Sequence, residues 1–145
     1  MEDMRLTTFL IADHADTCNG KLYLTGGCWD TLFASTFPTL HPHLSIAAAL
    51  YVPWHATNHR HSIVVDLVDA DGSSILPDQI QGEFEAGRPP GMRPGDNSNL
   101  VMVFNVQGLI VEKAGRYEWV FMVDGTDLGR IGFKVQERKV PTLTG

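Results

Sequence analysis

Apolar residues recur at every second position in this chain, run after run, and no window of a dozen residues carries them at the 3.6-residue spacing of a helix. Alternation of that kind sends successive side chains to opposite faces of an extended strand, so it commits the chain to sheets. The expected strands are 6–14, 21–29, 43–52, 61–70, 74–85, 99–107, 115–124 and 128–135. Eight short strands in 145 residues predict an all-β, antiparallel sandwich of a single domain over 1–145, with 136–145 as a loosely ordered tail. Asn19-Gly20, Asp71-Gly72 and Asp124-Gly125 are tight-turn dipeptides between such runs, and the Pro/Gly stretch 87–97 reads as a long loop.

The first turn fixes a register. A two-residue Asn19-Gly20 loop pairs Cys18 with Lys21 and every earlier residue with a later one at a constant index sum of 39, which sets Cys28 opposite Ile11. The two cysteines are therefore expected as free thiols. In the closing hairpin Tyr117, Trp119, Phe121 and Val123 share one face, answered by Ile131, Phe133 and Val135. The Gly115-Arg116-Tyr117 step resembles the tyrosine corner of immunoglobulin-like sandwiches, in which the phenol bonds back to the upstream backbone; an ordinary core aromatic is the alternative.

Two runs are apolar on both sides. Val101 and Val103 oppose Leu100, Met102, Phe104 and Val106, and Val120 and Met122 oppose the aromatic face of their own strand. A sandwich covers one face of each sheet, so the second face is expected to meet another copy, a homo-oligomer with a dimer favoured, or an unidentified protein partner. Other partners fit poorly. Eleven Lys and Arg against 17 Asp and Glu leave a net charge of −6, which repels duplex nucleic acid and anionic membranes. The longest apolar run, 46–52, is too short to cross a bilayer, and the opening Met1-Glu2-Asp3-Met4-Arg5 lacks the form of an export leader, so a cytoplasmic location is expected.

Phosphate loops, nucleophile elbows, His-Glu-x-x-His and Cys-x-x-Cys are absent from the sequence, and neither catalytic nor cofactor-binding residues are assigned. Three readings compete for what chemistry remains. His55, His59 and His61 could supply three imidazoles to a zinc-like ion with water in the open position, although His61 also continues the core face of Ile63, Val65 and Leu67. His41 and His43 are expected at the far end of a hairpin from them. Trp29 and Trp54 could form a stacking platform for a carbohydrate or other small ligand, with core or interface packing as the alternative. Arg88 and Arg93 could meet an anion from the Pro/Gly loop, while Asp69-Ala70-Asp71-Gly72-Ser73 reads as a hairpin turn rather than a calcium loop.

Ala12-Asp13-His14-Ala15, Gly20-Lys21-Leu22, Gly26-Gly27-Cys28-Trp29-Asp30, Phe37-Pro38 and His41-Pro42, with the later Asp69-Ala70-Asp71-Gly72 turn and the hairpin from Gly115-Arg116-Tyr117 to Asp124-Gly125, resemble an uncharacterised bacterial family of small β-proteins. That resemblance implies a bacterial, cytoplasmic sandwich and transfers neither an activity nor a cofactor. The expectation is a non-enzymatic binding or assembly module that self-associates through an apolar sheet face, with a metal-binding protein or metal-dependent enzyme using His55, His59 and His61 as the alternative.

Overall fold

The computed structural model describes residues 3–139 and contains nine strands, one short 3-10 turn and no α-helix. The strands are β1 Arg5–Cys18, β2 Lys21–Gly27, β3 Thr31–Ala34, β4 Thr39–Val52, β5 Arg60–Asp69, β6 Ile80–Glu85, β7 Ser98–Val111, β8 Gly115–Val123 and β9 Thr126–Glu137. They form two sheets packed face to face, ordered β2-β1-β4-β7 and β3-β9-β8-β5-β6. Every pairing is antiparallel except β3 with β9. The all-β sandwich expected from the alternation is what the chain forms.

The Asn19-Gly20 register holds to the residue: Cys18 pairs with Lys21, His14 with Thr25 and Ala12 with Gly27, and Cys28 N–H donates to the Ile11 carbonyl. Both turn residues take positive φ, the conformation that matches the right-handed strand twist. Cys18 and Cys28 are free and exposed.

β1 runs on to Cys18, β4 starts at Thr39 and β7 reaches Val111, each four residues beyond the expected end, and three further differences have a local reason. β3 is only four residues, too short to show a period, and it is held in parallel against Thr31↔Lys134 to Ala34↔Glu137. β6 starts at Ile80 instead of 74, because the chain bridges Ser74 to Val68 and then passes Pro77, which has no N–H to give a ladder. β9 runs through Glu137 and Arg138 N–H donates to the Ala34 carbonyl, so 136–138 belong to the sheet rather than to the expected tail; 140–145 lie outside the described residues.

Between the sheets lie Ile11, Leu44, Ile46, Leu50, Val65, Leu67, Trp119 and Phe121, all without solvent exposure. Phe121 sits at the centre, meeting Phe9 and Phe104 edge-on across the layers. Full burial of a side chain of this size stabilises by about 1.5–3 kcal/mol. Tyr117 Oη donates to the Lys113 carbonyl at 2.6 Å, the corner bond expected of the closing hairpin. The facing β4 and β7 share one unbroken register, yet their inward side changes at Pro42 and Gly108: Leu44 and Val106 point inward before it, Leu109 and Val111 after it. Gly108 takes φ +68, a conformation that turns the backbone over at little cost only for glycine. As a result the opposed pair Leu40 and Ile110 is turned out to solvent, more than half exposed.

Candidate functional site

Five of the residues singled out in the sequence, Trp54, His55, His59, His61 and Arg88, lie at one corner, where the chain crosses from β4 in one sheet to β5 in the other through the turn Trp54–Ala56. The expected hairpin between these strands does not form, and His41 lies near the opposite end of β4 from the histidines at 55, 59 and 61. His61 points inward as the core face of Ile63 and Val65 requires, 8% exposed and stacked on Phe84 at 5.1 Å. Its Nδ1 lies 2.6 Å from Asp124 Oδ2 and its Nε2 2.8 Å from the Ala56 carbonyl. Both partners are acceptors, so both contacts are made in full only when both ring nitrogens carry a proton. Burial pulls the His61 pKa down, but the Ala56 carbonyl and the Asp124 carboxylate outweigh that and raise it above the ordinary histidine value. Asp124 is held below the usual carboxylate range by His61 first and by the Ser62 N–H second.

This arrangement overturns the three-histidine ion site. The ring that would complete it has both nitrogens engaged by Asp124 and Ala56, His55 and His59 are exposed, and among the described residues no group of three or more His, Cys, Asp or Glu converges. The tryptophan platform does not form either. Trp54 is covered by the Arg88 guanidinium at 3.7 Å, which donates through Nε to Thr57 Oγ1 and through Nη2 to the Trp54 carbonyl. Trp29 instead packs on Phe133 and His41, near the other end of β4. Arg88 therefore ties the Pro/Gly loop to the crossover, while Arg93 N–H closes a local turn on Asp96. The Asp69 carboxylate accepts from the N–H groups of Asp71 and Ser73, the expected hairpin turn.

The second apolar faces are covered from within. Beyond Ala12, β1 leaves β4 and continues with β2 alone as a ribbon. On the side of β4 away from the core, Ala15 of that ribbon packs with Ala12 and Ala47, flanked by Leu10, Leu22 and Val103. Ser45, fully buried there, accepts from Ala15 N–H and donates to Asn105 Oδ1 at 2.6 Å. On the other sheet Val120 is 4% exposed opposite Arg130, whose aliphatic stem can lie along it, and Asp66 is buried beneath Ser74 and Gln79, both of which donate to it. Val101, Val103 and Met122 are partly buried. The face expected for self-association is thus covered in part by the chain itself.

What stays open is an edge. β7 pairs with β4 on one side and with no other strand among the described residues. It is 14 residues long and contains no Asp, Glu, Lys, Arg or Pro, and β4 contains no Asp, Glu, Lys or Arg. Exposed strand edges are commonly blunted by shortness, charge, proline or cover. The other three edges here are: β3 has four residues, β6 carries Glu83 and Glu85, and β2 is seven residues that start with Lys21 and end in two glycines. Beside the last third of β7 a cleft of about 720 Å³ opens, walled by Val106, Ile110 and Tyr117 on one side and Ile75, Leu76 and Pro77 on the other. Ile75, Leu76 and Pro77 belong to the stretch that precedes β6.

Comparison with protein families matches residues 7–136 to a family of unknown function, DUF6941. The chain belongs to that family. No curated protein matches it. Among solved structures, it is similar to the Pseudomonas fluorescens alkylpurine DNA glycosylase AlkC bound to DNA containing an abasic site analog, at 10% identity and a TM-score of 0.45 over 92% of this chain and 30% of that one. The chain thus spans less than a third of that protein. The DUF6941 match takes in the crossover corner, the β1–β2 ribbon and all of β7. Among the described residues of this DUF6941 protein, no helix is long and apolar enough to cross a membrane. Sequence reasoning missed β7 as a site because its alternation marks it only as a strand; its lack of charge was legible, but its place at the edge was not.

Proposed function

We propose that this DUF6941 protein is a non-enzymatic assembly module, and that the free edge of β7 accepts an extended strand from another polypeptide. The observation that carries the reading is the 14-residue edge without a charge or a proline, in a protein whose other edges are all blunted. Strand addition draws its affinity from backbone hydrogen bonds and its selectivity from neighbouring pockets. The cleft walled by Ile75, Leu76 and Ile110 is such a pocket, with Leu40 and Ile110 as exposed apolar anchors next to it. The surface is an edge, where the alternation alone suggested a face. Two exposed, unpaired thiols support a reducing, cytoplasmic setting.

Selection from a random-peptide display library on the immobilised protein tests this reading. Enriched peptides should alternate apolar and polar residues, and on binding they should slow hydrogen exchange along β7. Failure to enrich any peptide on protein that sediments as a monomer, or binding that leaves the β7 amides unchanged, refutes it.

A further inference from the structure

We infer that the strand received by β7 is β7 of a second copy, so that two chains pair antiparallel about a twofold axis into one continuous eight-stranded sheet; this rests on the strand-docking reading. Three observations choose this occupant over a foreign strand. The first is charge. Two copies each bearing −6 repel at long range, so a self-interface must lie where no like charges confront each other. The β4–β7 pair is that place: its 28 residues hold no Asp, Glu, Lys or Arg, where the chain average of 19% charged residues would put about five (0.19 × 28). In twofold pairing with full overlap each residue of β7 meets another residue of β7, so the neutrality of one strand makes the seam neutral in that register.

The second is fit of length. A copy offers an edge of the same 14 residues with the same twist, whereas none of this chain's other exposed edges exceeds seven. The third is the nature of the exposed groups along the strand. Asn99 and Gln107 are uncharged side chains that can donate and accept across a twofold, and Ile110 with its neighbour Leu40 provides an apolar end that is more than half exposed in the single chain. Nothing in the ribbon over β4 needs to move, since β1 and β2 pack on the face of the sheet and not as a strand beside β7.

Sedimentation equilibrium of the full chain at about 1–100 µM is the test, run beside the double variant Asn99→Lys/Gln107→Lys. Both positions are exposed, so the fold tolerates the change, and lysine at a strand edge opposes pairing. The wild type is expected at twice the 16.0 kDa chain mass and the variant at the single mass with an unchanged thermal midpoint. A wild type that stays at 16.0 kDa at the top concentration overturns the inference; peptide selection, which works equally on a monomer, then decides the strand-docking reading by itself. A variant that remains dimeric also overturns it, because the contact then lies elsewhere. Hydrogen exchange on the wild type needs no variant: protection of every β7 amide supports the paired edge, and fast exchange at alternate amides refutes it.

Discussion

Stability should fall as pH rises past the ordinary histidine value of 6.5, and His61 should be the reason. Both ring nitrogens meet acceptors, at Ala56 and at Asp124, and neutral imidazole has one N–H for the two. The folded-state pKa is raised above 6.5, so below that pH both folded and unfolded chains carry the proton and the contribution is complete. Between 6.5 and the raised folded value only the folded chain holds it, and stability is lost at up to about 1.4 kcal/mol per pH unit. Asp124, lowered from 3.8, works in the opposite window, where its contribution disappears as the pH falls through its folded value. His41, which burial lowers, loses stability as pH drops below 6.5 and contributes no slope above it. The alkaline limb therefore isolates His61. Asp124 is about half exposed, so water replaces part of its bond and the slope should lie below the ceiling. In His61→Ala the Ala56 carbonyl is left as a buried acceptor without a donor and Phe84 loses its stacked ring, a cost of about 2–4 kcal/mol near pH 6. Urea unfolding followed by tryptophan fluorescence between pH 6 and about 8.5 reads both quantities. If His61→Ala shows the same alkaline slope as wild type, His61 is not the group that holds the proton.

Three other substitutions probe the remaining polar joints. Ser45→Ala removes the acceptor for Ala15 N–H and the donor to Asn105; it should cost about 2 kcal/mol and speed hydrogen exchange in the β1–β2 ribbon more than in the core. Tyr117→Phe deletes the bond to Lys113 while keeping the ring against Phe133, which should lower stability by about 1 kcal/mol in chemical denaturation. Arg88→Lys keeps a charge but loses the flat stack on Trp54 and the Nε bond to Thr57, so limited proteolysis should cut the 87–97 loop faster, whereas an unchanged rate would show that Arg88 does not anchor it.

What could be read from the sequence was whatever lies close along the chain. Index pairing about Asn19-Gly20 placed Cys28 on Ile11 because a two-residue turn leaves no freedom of register. The tyrosine corner spans four residues and was equally accessible. His61 was readable as a core-face residue, but Asp124, which decides its chemistry, is 63 positions away. The same separation hid the edge: uncharged composition is a property of β7 alone, while its exposure depends on which strands lie beside it. The doubly apolar runs were ambiguous for a related reason. They signalled that something covers a second face, and periodicity cannot distinguish another molecule from the chain's own ribbon.

That ribbon rests on a floor of small side chains, Ala12, Ala15 and Ala47, and is tied to β4 largely through Ser45. A cantilever of this kind, with few large contacts and its tip at Asn19-Gly20, can lift without disturbing the Phe121 core. Lifting it would bare Ala47 of β4 and Val103 of β7. Local opening and assembly are thereby placed on adjoining surfaces of one sheet, where each can influence the other.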